Sequence, residues 1–144
     1  MKVAFFFNEE KFCGKLTKFF TGCYCYHVGF VDEERDILYD MNLTRRKRRW
    51  STYGARRNAV LVEAPVDISA EYLEEQLLTD DSVYGVADYS LFMLRPIYHW
   101  FGKSTRNVGG MICSELVYNG LYAHGWSVKF PEVPSPCDLY RLLG

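Results

Sequence analysis

The chain has 144 residues, 49% of them hydrophobic and 24% charged, with a formal net charge of −1. That is the composition of a single globular domain, residues 1–144, long enough to bury a core. So small a net charge excludes a global field drawing the chain to nucleic acid or a membrane surface, and no apolar run approaches the length of a membrane span.

Taken in chain order, Lys2 to Phe7 reads as a short strand and Glu9 to Phe20 as a helix, with Phe12, Leu16, Phe19 and Phe20 on one face. Tyr24 to Val31 is an apolar, aromatic strand. Asp32-Glu33-Glu34-Arg35 then turns the chain into a second strand, Asp36 to Asn42. A polar stretch follows from Thr44 to Asn58, then the strand Ala59 to Ala64, stopped by Pro65. Ser69 is a candidate N-cap for a helix over Ala70 to Leu78, whose apolar set is Tyr72, Leu73, Leu77 and Leu78. Asp88 to Trp100 reads as a buried helix kinked or ended by Pro96, Gly102 to Gly110 as a loop, and Ile112 to His124 as a second buried helix. The tail closes with one turn over Asp138 to Leu142. Strand, helix, strands, then mostly helices is an α+β order: an antiparallel sheet with helices packed on one side. There are no repeats and no low-complexity linker.

His27 and Cys113 carry the most chemistry. A hairpin centred between Glu33 and Glu34 pairs residues whose numbers sum to 67, which sets Asp40 directly across from His27, with Cβ atoms roughly 4.5–5.5 Å apart. Cys113 follows Gly109-Gly110-Met111-Ile112 at the start of a helix, where unpaired N–H groups and the helix dipole favour a thiolate. The amides of Cys113 and Ser114 could also receive a developing oxyanion. Thiol, imidazole and carboxylate form the nucleophile–base–orienter set of covalent catalysis. Strand alternation sends Tyr26 and Tyr39 to the other face from His27. The plainer alternative is a buried cysteine and a satisfied core histidine. His99 and His124, in apolar helical stretches, read as packing or surface residues.

Tyr26-His27-Val28-Gly29, Leu38-Tyr39-Asp40 and the later Cys113-Ser114-Glu115-Leu116-Val117 resemble the circularly permuted branch of the NlpC-type papain-like hydrolases. The likeness is to the YiiX-like group, in the wider clan of lecithin:retinol acyltransferase. Asp88-Tyr89 is similar to a polar–aromatic pair upstream of the cysteine helix there, and Pro136-Cys137-Asp138-Leu139 to a C-terminal Pro-x-Asp-Leu. The resemblance implies a permuted papain-like fold over roughly Phe12 to Leu142. It also implies a cysteine hydrolase or acyltransferase acting on an amide, ester or thioester, with Cys113, His27 and Asp40 as its triad and no cofactor. Asp40 departs from the pattern, since relatives often place Glu or His at this position.

Cys23-x-Cys25-x-His27 would share a face of a regular strand and could converge on zinc. The spacing is uncommon for zinc, though, and no C-x-x-C partner exists, so no metal is expected. The five cysteines are odd in number and lack the spacing of a secreted framework, which fits reduced thiols and a cytoplasmic protein. The apolar start, Met1 to Phe7, is too short for a signal-peptide core. Arg45-Arg46-Lys47-Arg48-Arg49, with Arg56 and Arg57 behind it, is the strongest charge feature. It reads as a solvated loop, with Arg45, Arg46, Arg48 and Arg49 as candidates for steering an anionic substrate. The alternative is a non-catalytic module that uses segment 45–57 to contact nucleic acid or an anionic partner.

Overall fold

Val3, Ala4, Phe5 and Phe6 are all fully buried, because strand β1 (Lys2–Phe7) is an interior strand of a sheet and is covered on both faces. An unbroken apolar run, without alternation, suits such a position. The structure, a computed structural model, describes residues 1–7, 22–42, 44–54, 56–78, 94, 97, 100, 101 and 112–144. The expected helix over Glu9 to Phe20, most of that over Asp88 to Trp100, the loop from Gly102 to Gly110 and the Asp88-Tyr89 pair lie outside the described residues.

The described chain is mixed α+β. Strands β2 (Cys25–Asp32), β3 (Ile37–Asn42), β4 (Thr44–Arg49) and β5 (Ala59–Glu63) join β1 in a five-stranded sheet of order β4-β3-β2-β1-β5. Every pairing is antiparallel. On one face Val3, Phe5, Val28, Phe30 and Tyr39 pack against Leu73 of helix α2 (Ala70–Leu78), Val117 and Leu121 of α3 (Cys113–Ala123) and Leu139 of α4 (Pro136–Leu143). On the other, Ala4, Phe6, Val31 and Leu38 meet Trp50 and Tyr53 of the one-turn helix α1 (Trp50–Tyr53). The three longer described helices therefore share one side of the sheet. No helix among the described residues is long and apolar enough to cross a membrane.

Local chemistry sets these elements. Ser69 Oγ accepts the Tyr72 N–H, the capping role expected of it. Ser135 and Asp138 form a reciprocal capping box around Pro136. The Pro-x-Asp-Leu segment thus begins a two-turn helix, longer than the single turn expected, and drives Leu139 into the core. Gly120 lets α3 approach β2: a Cβ there would lie 2.7 Å from the Phe30 ring.

Three expectations are corrected. The β2–β3 register pairs Gly29 with Asp40 and Asp32 with Ile37, so paired numbers sum to 69. The turn takes in all of Glu33 to Asp36, with Asp36 at φ +56°, a left-handed geometry that Asp tolerates better than most residues. Its carboxylate also accepts from the backbone N–H and hydroxyl of Ser51, tying the turn to the start of α1. Second, the polar stretch from Thr44 is an edge strand and a helical turn, not a loop. Cationic side chains have little strand preference of their own, but here alternate ones find partners on both faces, and charge on an edge strand also discourages pairing with other chains. Third, the thiols are not all reduced. Cys23 and Cys137 are joined with their Cα atoms 6.0 Å apart, while Cys25 and Cys113 are free.

Candidate thiol active site

His27 owes its position to an irregularity in β2. Phe6 pairs with His27, but Phe7 pairs with Cys25, so Tyr26 is an extra residue, a bulge. A bulge inserts one residue, bends the strand and re-aims the side chains on either side of it. Cys25 therefore joins the helix-covered core, whereas His27 sits beside Phe6, ring centroids 5.4 Å apart. Cys25 and His27 thus do not share a face, and Cys23 is bonded to Cys137, so the C-x-C-x-H residues do not converge as a regular strand would make them. The bulge also moves Tyr26 from its expected place: its ring stacks along His27 at 6.3 Å. Burial and then the neighbouring Tyr53 hydroxyl push the Tyr26 hydroxyl pKa upward. Tyr39 does lie on the far face, where its hydroxyl donates to Glu74.

His27 Nε2 is 3.0 Å from Oδ2 of the fully buried Asp40. The two residues are diagonal neighbours across β2 and β3, not directly opposed. A register change of two keeps both on one face, where a change of one would have separated them. The residue opposite Asp40 is Gly29, and a Cβ there would lie 3.2 Å from the Asp40 Cβ and 2.7 Å from the Tyr39 carbonyl oxygen. The missing side chain gives the carboxylate its diagonal path.

Cys113 is the first residue of α3, whose first helical hydrogen bond runs from Leu116 N–H to Ile112 C=O. Glu115 reaches back to the Ile112 N–H at 2.9 Å and fixes the helix start. The Cys113 and Ser114 N–H groups precede the first intrahelical donor, so they have no acceptor within the helix. The Cys113 thiol lies against the His27 ring. Burial by itself would lower the His27 pKa; the negative charge of Cys113 and the hydrogen bond to Asp40 outweigh it and raise the value to about 9. Cys25 is the contrasting thiol. It is fully buried, with Sγ donating to the His27 carbonyl, and desolvation pushes it up to about 12.

The basic strand divides by face. Arg45 donates to Gln76 and Lys47 pairs with Glu74, both on α2. Arg46 is the cross-strand partner of Asp40. Arg48 Nε lies 3.3 Å from Asp40 Oδ1, with its guanidinium over the Tyr53 ring. Arg49 is exposed. Arg45 and Arg48, expected to steer an anion, are thus held by partners within the fold. Sequence reasoning missed Gly29, Phe6 and Arg48 as parts of the site. Reading residues 44–49 as a strand would have put Arg48 on the face of Asp40. His124 is structural: its Nε2 accepts the Ser69 N–H, so Nδ1 carries the proton donated to the Gly120 carbonyl.

A cavity of about 340 Å³ lies at the opposite end of the strands, lined by Met1, Lys2, Glu33, Glu34 and Glu63 among others, away from this chemistry. Compared with protein-family models, with curated proteins and with solved structures, the chain matches none.

Proposed function

We propose that the protein is a cysteine-nucleophile hydrolase or acyltransferase acting on an amide, ester or thioester bond, built on a permuted papain-like arrangement. The observation that carries this reading is the His27 imidazole, held at 3.0 Å by the buried Asp40 carboxylate and hydrogen-bonded with the Cys113 side chain. In this mechanism the proton of Cys113 passes to His27, and the thiolate attacks the acyl carbonyl. A carbon–sulfur bond forms, and the oxyanion is received by the N–H groups of Cys113 and Ser114. Imidazolium returns the proton to the leaving amine, alcohol or thiol as its bond to carbon breaks. Water, or an acceptor hydroxyl or amine, then gives its proton to His27 and attacks the thioester; the carbon–sulfur bond breaks, the acyl group is released, and His27 returns the proton to Cys113. Asp40 holds the ring and stabilises imidazolium throughout.

A p-nitrophenyl ester of a short acyl chain tests the chemistry without knowledge of the natural substrate. The expected result is a burst of nitrophenolate together with an acyl adduct that intact-mass and peptide analysis place on Cys113, absent from Cys113→Ala. An adduct on another residue, or none at millimolar ester, overturns the reading.

A further inference from the structure

Asp40 is fully buried and meets two cations or potential cations: His27 at 3.0 Å through Oδ2 and Arg48 at 3.3 Å through Oδ1. Among the described residues, Oδ1 makes no hydrogen bond, and Arg48 Nε and Nη2 are buried without one. Charge attraction is therefore what holds this contact. Among the described residues, the other groups near the pair are Cys113 from α3, Tyr26 on β2, Arg46 across from Asp40, Tyr53 beneath the Arg48 guanidinium, and Arg57, which lies over the same Tyr53 ring and acts on Tyr26. Asp40, His27 and Cys113 are all buried, so the carboxylate lies away from water. A buried carboxylate without a partner is costly, and Arg48, 3.3 Å from Oδ1, supplies the opposite charge.

We propose that Arg48 is the positioning residue of this site: its guanidinium compensates Asp40 and thereby sets how firmly the carboxylate holds His27 toward Cys113. One residue of the basic segment is then part of the catalytic charge chain instead of a steering group. The catalytic consequence rests on the function proposed above, whereas the coupling from Arg48 through Asp40 to His27 exists with or without a reactive thiol.

The test is an NMR titration of the His27 ring in the full chain carrying Cys113→Ala. Removing the cation leaves neutral His27 facing an uncompensated carboxylate, so Arg48→Gln and Arg48→Met should each raise the titration midpoint by about one pH unit. Arg48→Lys should keep it near the parent value. With Asp40→Asn present, the same uncharged substitutions should move it by less than about 0.3 of a unit, because the route is broken. A midpoint that ignores Arg48, or moves equally when Asp40 is already Asn, overturns the proposal. If an uncharged Arg48 variant does not fold, rescue by Asp40→Asn supports the pairing and failure of that rescue overturns it. A chain whose Cys113 forms no acyl adduct, yet whose His27 titration follows Arg48 as stated, defeats the enzyme reading and leaves the role of Arg48 standing.

Discussion

Asp40 is the cross-strand partner of Gly29, and its carboxylate passes over that residue to reach His27 Nε2 at 3.0 Å. A methyl group at position 29 would meet the Tyr39 carbonyl at 2.7 Å and the Asp40 Cβ at 3.2 Å. Backbone cannot yield as a flexible side chain can, so the strands must separate or Asp40 must turn.

Gly29→Ala should therefore lower stability by about 1–3 kcal/mol and slow acylation of Cys113 about 10- to 100-fold through loss of the orienting carboxylate. Asp40→Asn should be milder than His27→Ala, because an amide still orients the ring. Burst kinetics and urea melts check both; unchanged acylation in Gly29→Ala would remove Gly29 from the site.

The His27 value of about 9, against 6.5 for an ordinary histidine, makes stability and rate depend on pH in a defined direction. Because the folded-state value lies above the unfolded one, protonation favours the fold. That contribution is complete below pH 6.5 and is lost as pH rises toward 9. Denaturant melts of the wild type should fall relative to His27→Gln across this window, and acylation should decline on the alkaline side near pH 9 as imidazolium disappears. Cys113→Ala removes the largest raising influence, so the His27 titration should then move down; a titration unaffected by that substitution would break the Cys113–His27 pairing.

A stoichiometric thiol-directed electrophile should label Cys113 well before Cys25. Both are buried, at 4% and 0% exposure, but desolvation pushes Cys25 up to about 12, which leaves it almost no thiolate at neutral pH. Peptide mapping with Cys25 labelled first would sink the assignment of Cys113.

A non-reducing peptide map should recover Cys23 linked to Cys137. The bridge closes a separation of 114 residues, so chain-entropy reasoning gives about 4–5 kcal/mol of stabilisation at most. Reduction, or the Cys23→Ser and Cys137→Ser pair, should lower the melting temperature by an amount consistent with a few kcal/mol. Free thiols at both positions in the oxidised protein would contradict the pairing.

Much of the frame was legible in the order of residues, because hydrophobic periodicity and capping are local. Lys2–Phe7 as a strand, Ser69 as a cap, Cys113 at the head of a helix and the α+β order all follow from side-chain spacing within a few turns or pleats. His27 and Asp40 on one face also followed, since any even register delivers that. The division of labour within the basic run did not, because a row of arginines carries no periodic signal. Which arginine faces the carboxylate depends on pairing between β3 and β4.

Composition and local pattern by themselves determined strands β1, β2, β3 and β5, helices α2 and α3, the candidate thiol and the imidazole. Only tertiary structure decided how those groups meet. The bulge at Tyr26 turns Cys25 into the core and His27 toward Phe6, the four-residue turn at Glu33 to Asp36 moves Asp40 opposite Gly29, and the edge strand brings Arg48 to Asp40. Each of these depends on a register, and register is set by contacts between strands that no local stretch of sequence contains.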